Sequence, residues 1–223
     1  MTLSGVVTSA AEAAPPCSKQ TPVKSSCEIA LSALHPTQTA VGKITVEERA
    51  VRMSANMDFV KYTAKRPIPV VQAPDGGFYL TDSHHLASVL SRLGAGKVTA
   101  EVIGRFSEPR TFWQEMEKRH WVWLFDPKGN PIKPAALPRR ITDLQDDPYR
   151  ALASYAQDAG YFKKTDAYFM EFHWARYFGQ RMNWQSIDRM NLLAAIRQAE
   201  LFACQPEARN LPGYAGPCKA NSQ

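Results

Sequence analysis

The run Thr81-Asp82-Ser83-His84-His85 holds two of the chain's five histidines, directly after a carboxylate and a hydroxyl. A short apolar segment, Phe78-Tyr79-Leu80, precedes it, and Leu86-Ala87-Ser88-Val89-Leu90 follows with helical spacing. The first N–H groups of a helix have no internal partner and carry partial positive charge. A strand that runs straight into such a helix end therefore forms a cradle for an anion. Asp82 or Ser83 is expected to cap the helix, and both histidines fall in its first turn, about 100° apart around the axis. Separate tasks suit that spacing. One imidazole, with an ordinary pKa near neutrality, would be a general acid or base, and Asp82 would hold the other. The helix end disfavours imidazolium, which suits a base or a neutral donor. Adjacent histidines lack the i, i+4 spacing of a helical metal pair, so no metal ligand is assigned.

Other candidates lie further off in sequence. Glu47 and Glu48 fall near the start of a helix after Gly42-Lys43. Either could be a carboxylate base facing the histidines, and dipole complementarity explains them equally well. Lys43 could contact an anion, or be a solvated loop lysine. Asp146-Asp147-Pro148-Tyr149-Arg150 has the form of a helix start with Pro near the first position, and Arg150 could reach back toward the histidines. Glu171, His173 and Trp174 sit mid-helix among aromatic residues, where a Glu or His could point into a cleft with a shifted pKa. Trp113, Trp121 and Trp123 read as core, with ligand stacking as the alternative.

Period-two and period-3.6 patterns place the supporting elements. Residues 33–38 form a short extended segment stopped by Pro36, and 45–65 a helix capped by Thr45. Segments 68–71 and 78–80 form a hairpin about the Pro74-Asp75-Gly76-Gly77 turn. A helix ends at Gly94, a strand covers 98–103, a short helix 111–119, and an aromatic strand 121–125. Helices are expected over 148–158, 168–180 and 183–202. The chain thus divides into a leader or arm with little regular structure (1–30), an α/β domain (31–133), a mainly helical lobe (134–204) and a tail (205–223).

The 223 residues are 44% apolar and 22% charged, the balance of a globular chain with room for one substantial core or a core with an added lobe. No apolar run approaches the ~18 residues of a membrane span. Net charge is +6, which attracts phosphate-rich partners, but the basic residues are scattered and form no nucleic-acid arm. The four cysteines, Cys17, Cys27, Cys204 and Cys218, lie near the two ends, outside the expected core and with no Cys-x-x-Cys. Two local disulfides would close loops at the two ends, though three pairings are open. Residues 3–13 resemble the tail of a secretory signal, with Ala11-x-Ala13 but no positive or full apolar region. They point to an exported protein, periplasmic or extracellular, whose signal peptide is trimmed.

The spaced set His35-Pro36-Thr37-Gln38, Val41-Gly42-Lys43, Pro67-Ile68-Pro69-Val70-Val71 and Tyr79 to Ala87 resembles the ParB/sulfiredoxin-like superfamily, specifically its ParB-like nuclease branch. Phe112-Trp113, Trp121-Val122-Trp123-Leu124, Leu137-Pro138, 146–150 and 171–175 extend the resemblance over about residues 30–180. It implies an α+β fold: a ParB/sulfiredoxin-like mixed-sheet domain followed by a mainly helical lobe. It also implies that the strand–turn–helix element binds nucleotide phosphates. The serine-kinase members carry Asp-Gly-His-His-Arg there and sulfiredoxin Gly-Cys-His-Arg, so Asp82, His84 and His85 match the kinase form. Ser83 replaces the Gly and Leu86 the Arg, removing a free backbone approach and a phosphate ligand. His84 replaces the sulfiredoxin Cys, so repair of sulfinic acids is not implied.

The reading that results is a phosphoester hydrolase, nuclease-like, with catalytic His84, His85, Asp82, Glu47 and Glu48. Ser83, Lys43, Arg150, Glu171, His173 and Trp174 would contact the substrate. The partner would be nucleic acid or another phosphate-containing ligand, with no membrane. The cofactor is left unknown, with a divalent metal kept open, as is the oligomeric state. Two alternatives stand beside it. One is a nucleotide-dependent phosphotransferase of the free-serine-kinase type. The other is an exported non-catalytic binding module, or a hydrolase or lyase acting on a non-phosphate substrate.

Overall fold

A computed structural model describes residues 14–53 and 57–218. Buried residues alternate with more exposed ones along β1 (Ser25–Ala30) and β5 (Phe78–Leu80), whereas β4 (Ile68–Gln72) and β6 (Lys97–Arg105) carry runs of consecutive buried residues. With β2 (Leu34–His35) they form a mixed sheet of order β1-β6-β4-β5-β2. Pairing is antiparallel for β1/β6 and β4/β5 and parallel for β4/β6 and β2/β5. Val70 sits opposite both Leu80 and Val102, and a register shift follows it at Val71. The β4–β5 hairpin turns at Gly76, whose φ of 91° favours glycine.

One sheet face buries Ile68, Val70, Leu80 and Val98 against Val46 and Ala50 of α1 (Lys43–Arg52) and Ala87 and Leu90 of α3 (His84–Arg92). The opposite face meets Phe112 and Met116 of α4 (Phe112–Lys118). A second core joins Leu152 and Ala156 of α5 (Pro148–Asp158), Trp174 and Phe178 of α6 (Met170–Arg181), and Ala195 and Ala199 of α7 (Leu192–Ala203). Between the two cores, β3 (Ala40–Val41) and β7 (Gln145–Asp146) pair in parallel. A mixed sheet with a helical region after it is what the patterning called for, and a ParB/sulfiredoxin-like arrangement is what the resemblance implied.

Several expectations need correction. Part of the presumed arm is ordered: β1 is an edge strand, and Cys27 on it is fully buried rather than outside the core. Its partner is Cys17, and Cys204 pairs with Cys218, so both disulfides close local loops. The helix expected over 45–65 is two helices. α1 starts at Lys43 after Gly42, with Thr45 donating to the Gly42 carbonyl instead of capping. A separate α2 (Phe59–Ala64) is capped by Asp58, which accepts the Lys61 N–H at 3.0 Å. Residues 121–125 are not a strand; their one bridge is Phe125 to Pro131, and Trp123 N–H donates to the Thr37 carbonyl at 2.8 Å. The last helix begins at Leu192 rather than 183, because Asn183 and Trp184 take left-handed backbone angles. The secretory-signal reading of residues 1–13 lies outside the described residues.

Candidate functional site

β5 leads through Thr81 and Asp82 into Ser83, whose φ of 67° and ψ of 22° lie in the left-handed region. That conformation is rare for a residue with a Cβ and costs roughly 1–2 kcal/mol. Ser83 thus keeps the glycine-type turn without glycine. No side chain caps α3. Asp82 is exposed and spends Oδ1 on the Ser83 N–H, so the expected Asp82 or Ser83 cap is not formed. The first amide to close the helix is Ala87, on the Ser83 carbonyl. The N–H groups of His84, His85 and Leu86 make no hydrogen bond among the described residues.

Both imidazoles accept backbone N–H groups from one segment. His84 Nε2 accepts from Thr37 at 2.9 Å, and His85 Nε2 accepts from Gly42 at 3.1 Å. Thr37 Oγ1 donates to the Leu80 carbonyl, locking the same crossing. An Nε2 that accepts leaves the proton on Nδ1. Burial alone drives the His84 pKa down to about 3. His85 is also held well below its ordinary value, first by burial and then by Arg150, His84 and Arg49. Both rings are therefore neutral Nδ1–H tautomers at neutral pH, and Asp82 holds neither. The pair ties residues 37–42 to the mouth of α3.

The facing wall comes from α5 and α6. Asp147, in extended conformation, caps α5 by accepting the Arg150 N–H at 2.8 Å, with Pro148 at the first position. Its neighbour Asp146 accepts the Lys43 N–H at 2.8 Å and so caps α1. Two consecutive aspartates thereby start two helices. At Gly42 a Cβ would stand 2.8 Å from the Ala151 backbone nitrogen, so glycine is what lets α5 approach the start of α1. This packing sets Arg150 across from α3. Its side chain is 12% exposed; Nη1 donates to Ser154 Oγ at 2.6 Å, Nη2 is 3.7 Å from Glu171, and Nε is buried without a partner. Burial lowers the Arg150 pKa against the opposing pull of Glu171, Asp147 and Asp82.

Between these walls lies a cavity of about 680 Å³. Arg49, Arg66 and Arg150 line it against two carboxylates, Asp82 and Glu171. Of the residues expected to act together, it collects Asp82, Ser83, His84, His85, Arg150 and Glu171. Others lie elsewhere. Lys43 borders a different cavity, with Glu47, Ser91 and Arg92. Glu47 pairs with Arg189 and Arg92, and Glu48 borders a third cavity with Arg52 and Arg189, so neither faces the histidines. His173 packs edge-on against Trp123, and Trp174 is fully buried, stacked on Phe162 and donating Nε1–H to the Pro212 carbonyl. Glu171 and Trp174 therefore do not share a working face.

Arg49, Arg66, His120 and Tyr168 also line the cavity and were not singled out by sequence. Arg49 follows α1's buried Val46 and precedes Ala50, a boundary position readable on a helical wheel once the cleft is known. Nothing local marks the other three. Among the described residues no three His, Cys, Asp or Glu side chains gather as a metal would require, and no helix is long and apolar enough to cross a membrane.

The mixed sheet with its flanking helices is that of an α+β protein of the ParB/sulfiredoxin-like class. The family model described as "Putative ParB-like nuclease" matches residues 27–180, and the chain belongs to that family. A solved structure, protein Atu1540 from Agrobacterium tumefaciens, is 34% identical with a TM-score of 0.74, covering 86% of this chain and 98% of that one. No curated protein matches the chain.

Proposed function

We propose that the cleft binds a phosphate ester at the open mouth of α3 and hydrolyses it. The observation that carries this reading is an uncapped helix N-terminus facing an almost buried arginine across one cavity. Unpartnered N–H groups and a guanidinium are the donors a phosphate oxygen needs. Arg49 and Arg66 offset the charge of flanking phosphates. His85, a neutral Nδ1–H donor, stabilises charge on a phosphate oxygen but has no free lone pair to take a proton. As the water oxygen bonds to phosphorus and the ester P–O bond breaks, the water's proton goes to Asp82 or Glu171, the carboxylates that line the cavity, and the leaving oxygen takes a proton back from that acid or from solvent. A divalent cation carried in with the phosphate would meet the same two carboxylates. Family membership favours nucleic acid as the source of the ester. The two disulfides suit an oxidising compartment and support export, where nucleoside triphosphates are scarce; this weighs against a phosphotransferase.

The test is hydrolysis of single- and double-stranded DNA and RNA, with and without Mg²⁺ or Mn²⁺, alongside thermal shifts with inorganic phosphate. Arg150→Met is expected to weaken phosphate binding by about tenfold to a hundredfold, the worth of charge-assisted hydrogen bonds. Intact substrates together with no phosphate-dependent stabilisation would sink the reading. Phosphate binding without turnover would select the second reading, a non-catalytic binding module. That reading is favoured by both histidines spending their lone pairs on backbone amides.

A further inference from the structure

The same cavity also carries a lining of different chemistry. Beyond the α3 mouth its lining includes the aromatic residues Trp121, Tyr168, Phe169 and Phe172, together with His120. Tyr168 is 61% exposed, yet its ring lies flat on His120, centroids 4.2 Å apart and planes at 18°. Its exposed position leaves the ring available to stack a further planar group. The backbone around it is strained. His120 and Phe169 have φ of 56° and 54°, and with Ser83 they are three of the six non-glycine residues at positive φ among the described residues. All three line this one cavity. Left-handed backbone at bulky residues persists where the surroundings hold it and collects at ligand sites.

We infer that the cleft takes an unpaired nucleoside phosphate, its phosphate at α3 and its base stacked on the Tyr168–His120 pair. This rests on the phosphate reading above and adds the base. A π-face is what such a platform offers, and every nucleobase has one. Paired bases in a duplex show proteins only their groove edges, so a duplex cannot present that face until a nucleotide is flipped out. The ligand is therefore a single strand or a free nucleotide.

Equilibrium binding to the whole chain tests this with deoxyribose 5-phosphate, thymidine 5′-monophosphate, a thymidine octanucleotide and a blunt duplex of equal length. The monophosphate is expected to bind about tenfold tighter than deoxyribose 5-phosphate, the worth of one stacked base. Tyr168→Ala should erase that ratio and leave deoxyribose 5-phosphate binding unchanged, while Tyr168→Phe should restore it. The octanucleotide should outbind the duplex; if it also outbinds the monophosphate, the strand is the ligand, and if not, the free nucleotide is. Equal binding of deoxyribose 5-phosphate and monophosphate, both dependent on Arg150, would overturn the base subsite and leave the phosphate site standing. No binding of any probe would overturn both. A duplex that binds as tightly as the single strand would also overturn the inference.

Discussion

The helices α3 and α5 begin in similar surroundings and end up opposite in character. Each follows a short strand, each has an aspartate just upstream, and each contributes to the same cavity. In α5 the aspartate is itself the cap: Asp147 takes the Arg150 amide, and Pro148 has no N–H to satisfy. In α3 the aspartate stands one residue too early. Asp82 takes the Ser83 amide, and Ser83 enters the helix through a left-handed turn that offers no cap. A missing cap costs about 1 kcal/mol, and the left-handed serine roughly 1–2 more. One residue of phase separates a helix end whose amides are capped from one whose first amides are left without a partner among the described residues.

The histidines make the open end hold its shape, and the largest predicted effect tests this. His84 is neutral in the fold with its pKa pushed down to about 3, while the unfolded chain titrates near 6.5. Below pH 6.5 the unfolded state binds a proton that the folded state does not, so stability falls as pH falls. The loss reaches about 5 kcal/mol once pH approaches 3. His85 is shifted the same way and adds to it. In urea unfolding, His84→Asn should lower stability at pH 7 through the lost Thr37 bond and flatten the acid limb. An acid limb as steep as that of the wild type would mean that His84 is not the buried neutral post of this mouth.

The capped end should respond with the opposite sign. Burial raises the Asp147 pKa to about 6 from 3.8, despite the bonds from Arg150 and Tyr149. Between those values the folded state keeps a proton that the unfolded state has lost, so stability falls as pH rises, by about 3 kcal/mol in all. Asn caps nearly as well as Asp and does not ionise. Asp147→Asn should therefore match the wild type near pH 4 and exceed it by up to ~3 kcal/mol at pH 7.5. If the variant is less stable at pH 7.5, the Asp147 charge contributes to the fold, and the contrast with α3 is not one of satisfied against open ends.

How much of this could be read in the residues follows from how local each signal is. The apolar runs 68–71 and 78–80, the alternation in 98–103, the Gly76 and Gly94 turns, and the Asp147-Pro148 start all depend on near neighbours, and the elements stand close to where those signals put them. The helix start after Ser83 was legible for the same reason, and Arg150, expected to reach back toward the α/β half, lines the cavity at the mouth of α3. Partners that meet only through the fold were not legible. Glu47 has the right sequence setting for a base, but the buried face of α1 is Val46 and Ala50, which turns Glu47 toward Arg189 and Arg92. Trp174 looked like a site residue because the pattern cannot say which face of α6 meets Phe162. His120 and Tyr168 come from segments far apart in sequence, and no periodicity joins them. A Ser-rich lead-in, Ser25-Ser26, hides the edge strand that carries Cys27 into the core.

The smallest expected effect bears most directly on the open mouth. Ser83 contributes no side-chain hydrogen bond to α3, so its work there is done by its backbone. Glycine takes the same angles without the Cβ penalty but gives the unfolded chain more freedom to lose, and the two terms partly cancel. Ser83→Gly should therefore raise stability by roughly 0.5–1 kcal/mol and leave phosphate affinity unchanged, because the amides of His84, His85 and Leu86 stay where they are. Ser83→Ala keeps the left-handed strain and should stay within about 0.5 kcal/mol of the wild type. Thermal unfolding with and without inorganic phosphate reads both quantities at once. A Ser83→Ala variant that keeps its stability but loses the phosphate-dependent shift would place the serine hydroxyl on the ligand. The open end of α3 would then be closed by the substrate through a side chain as well as through the backbone.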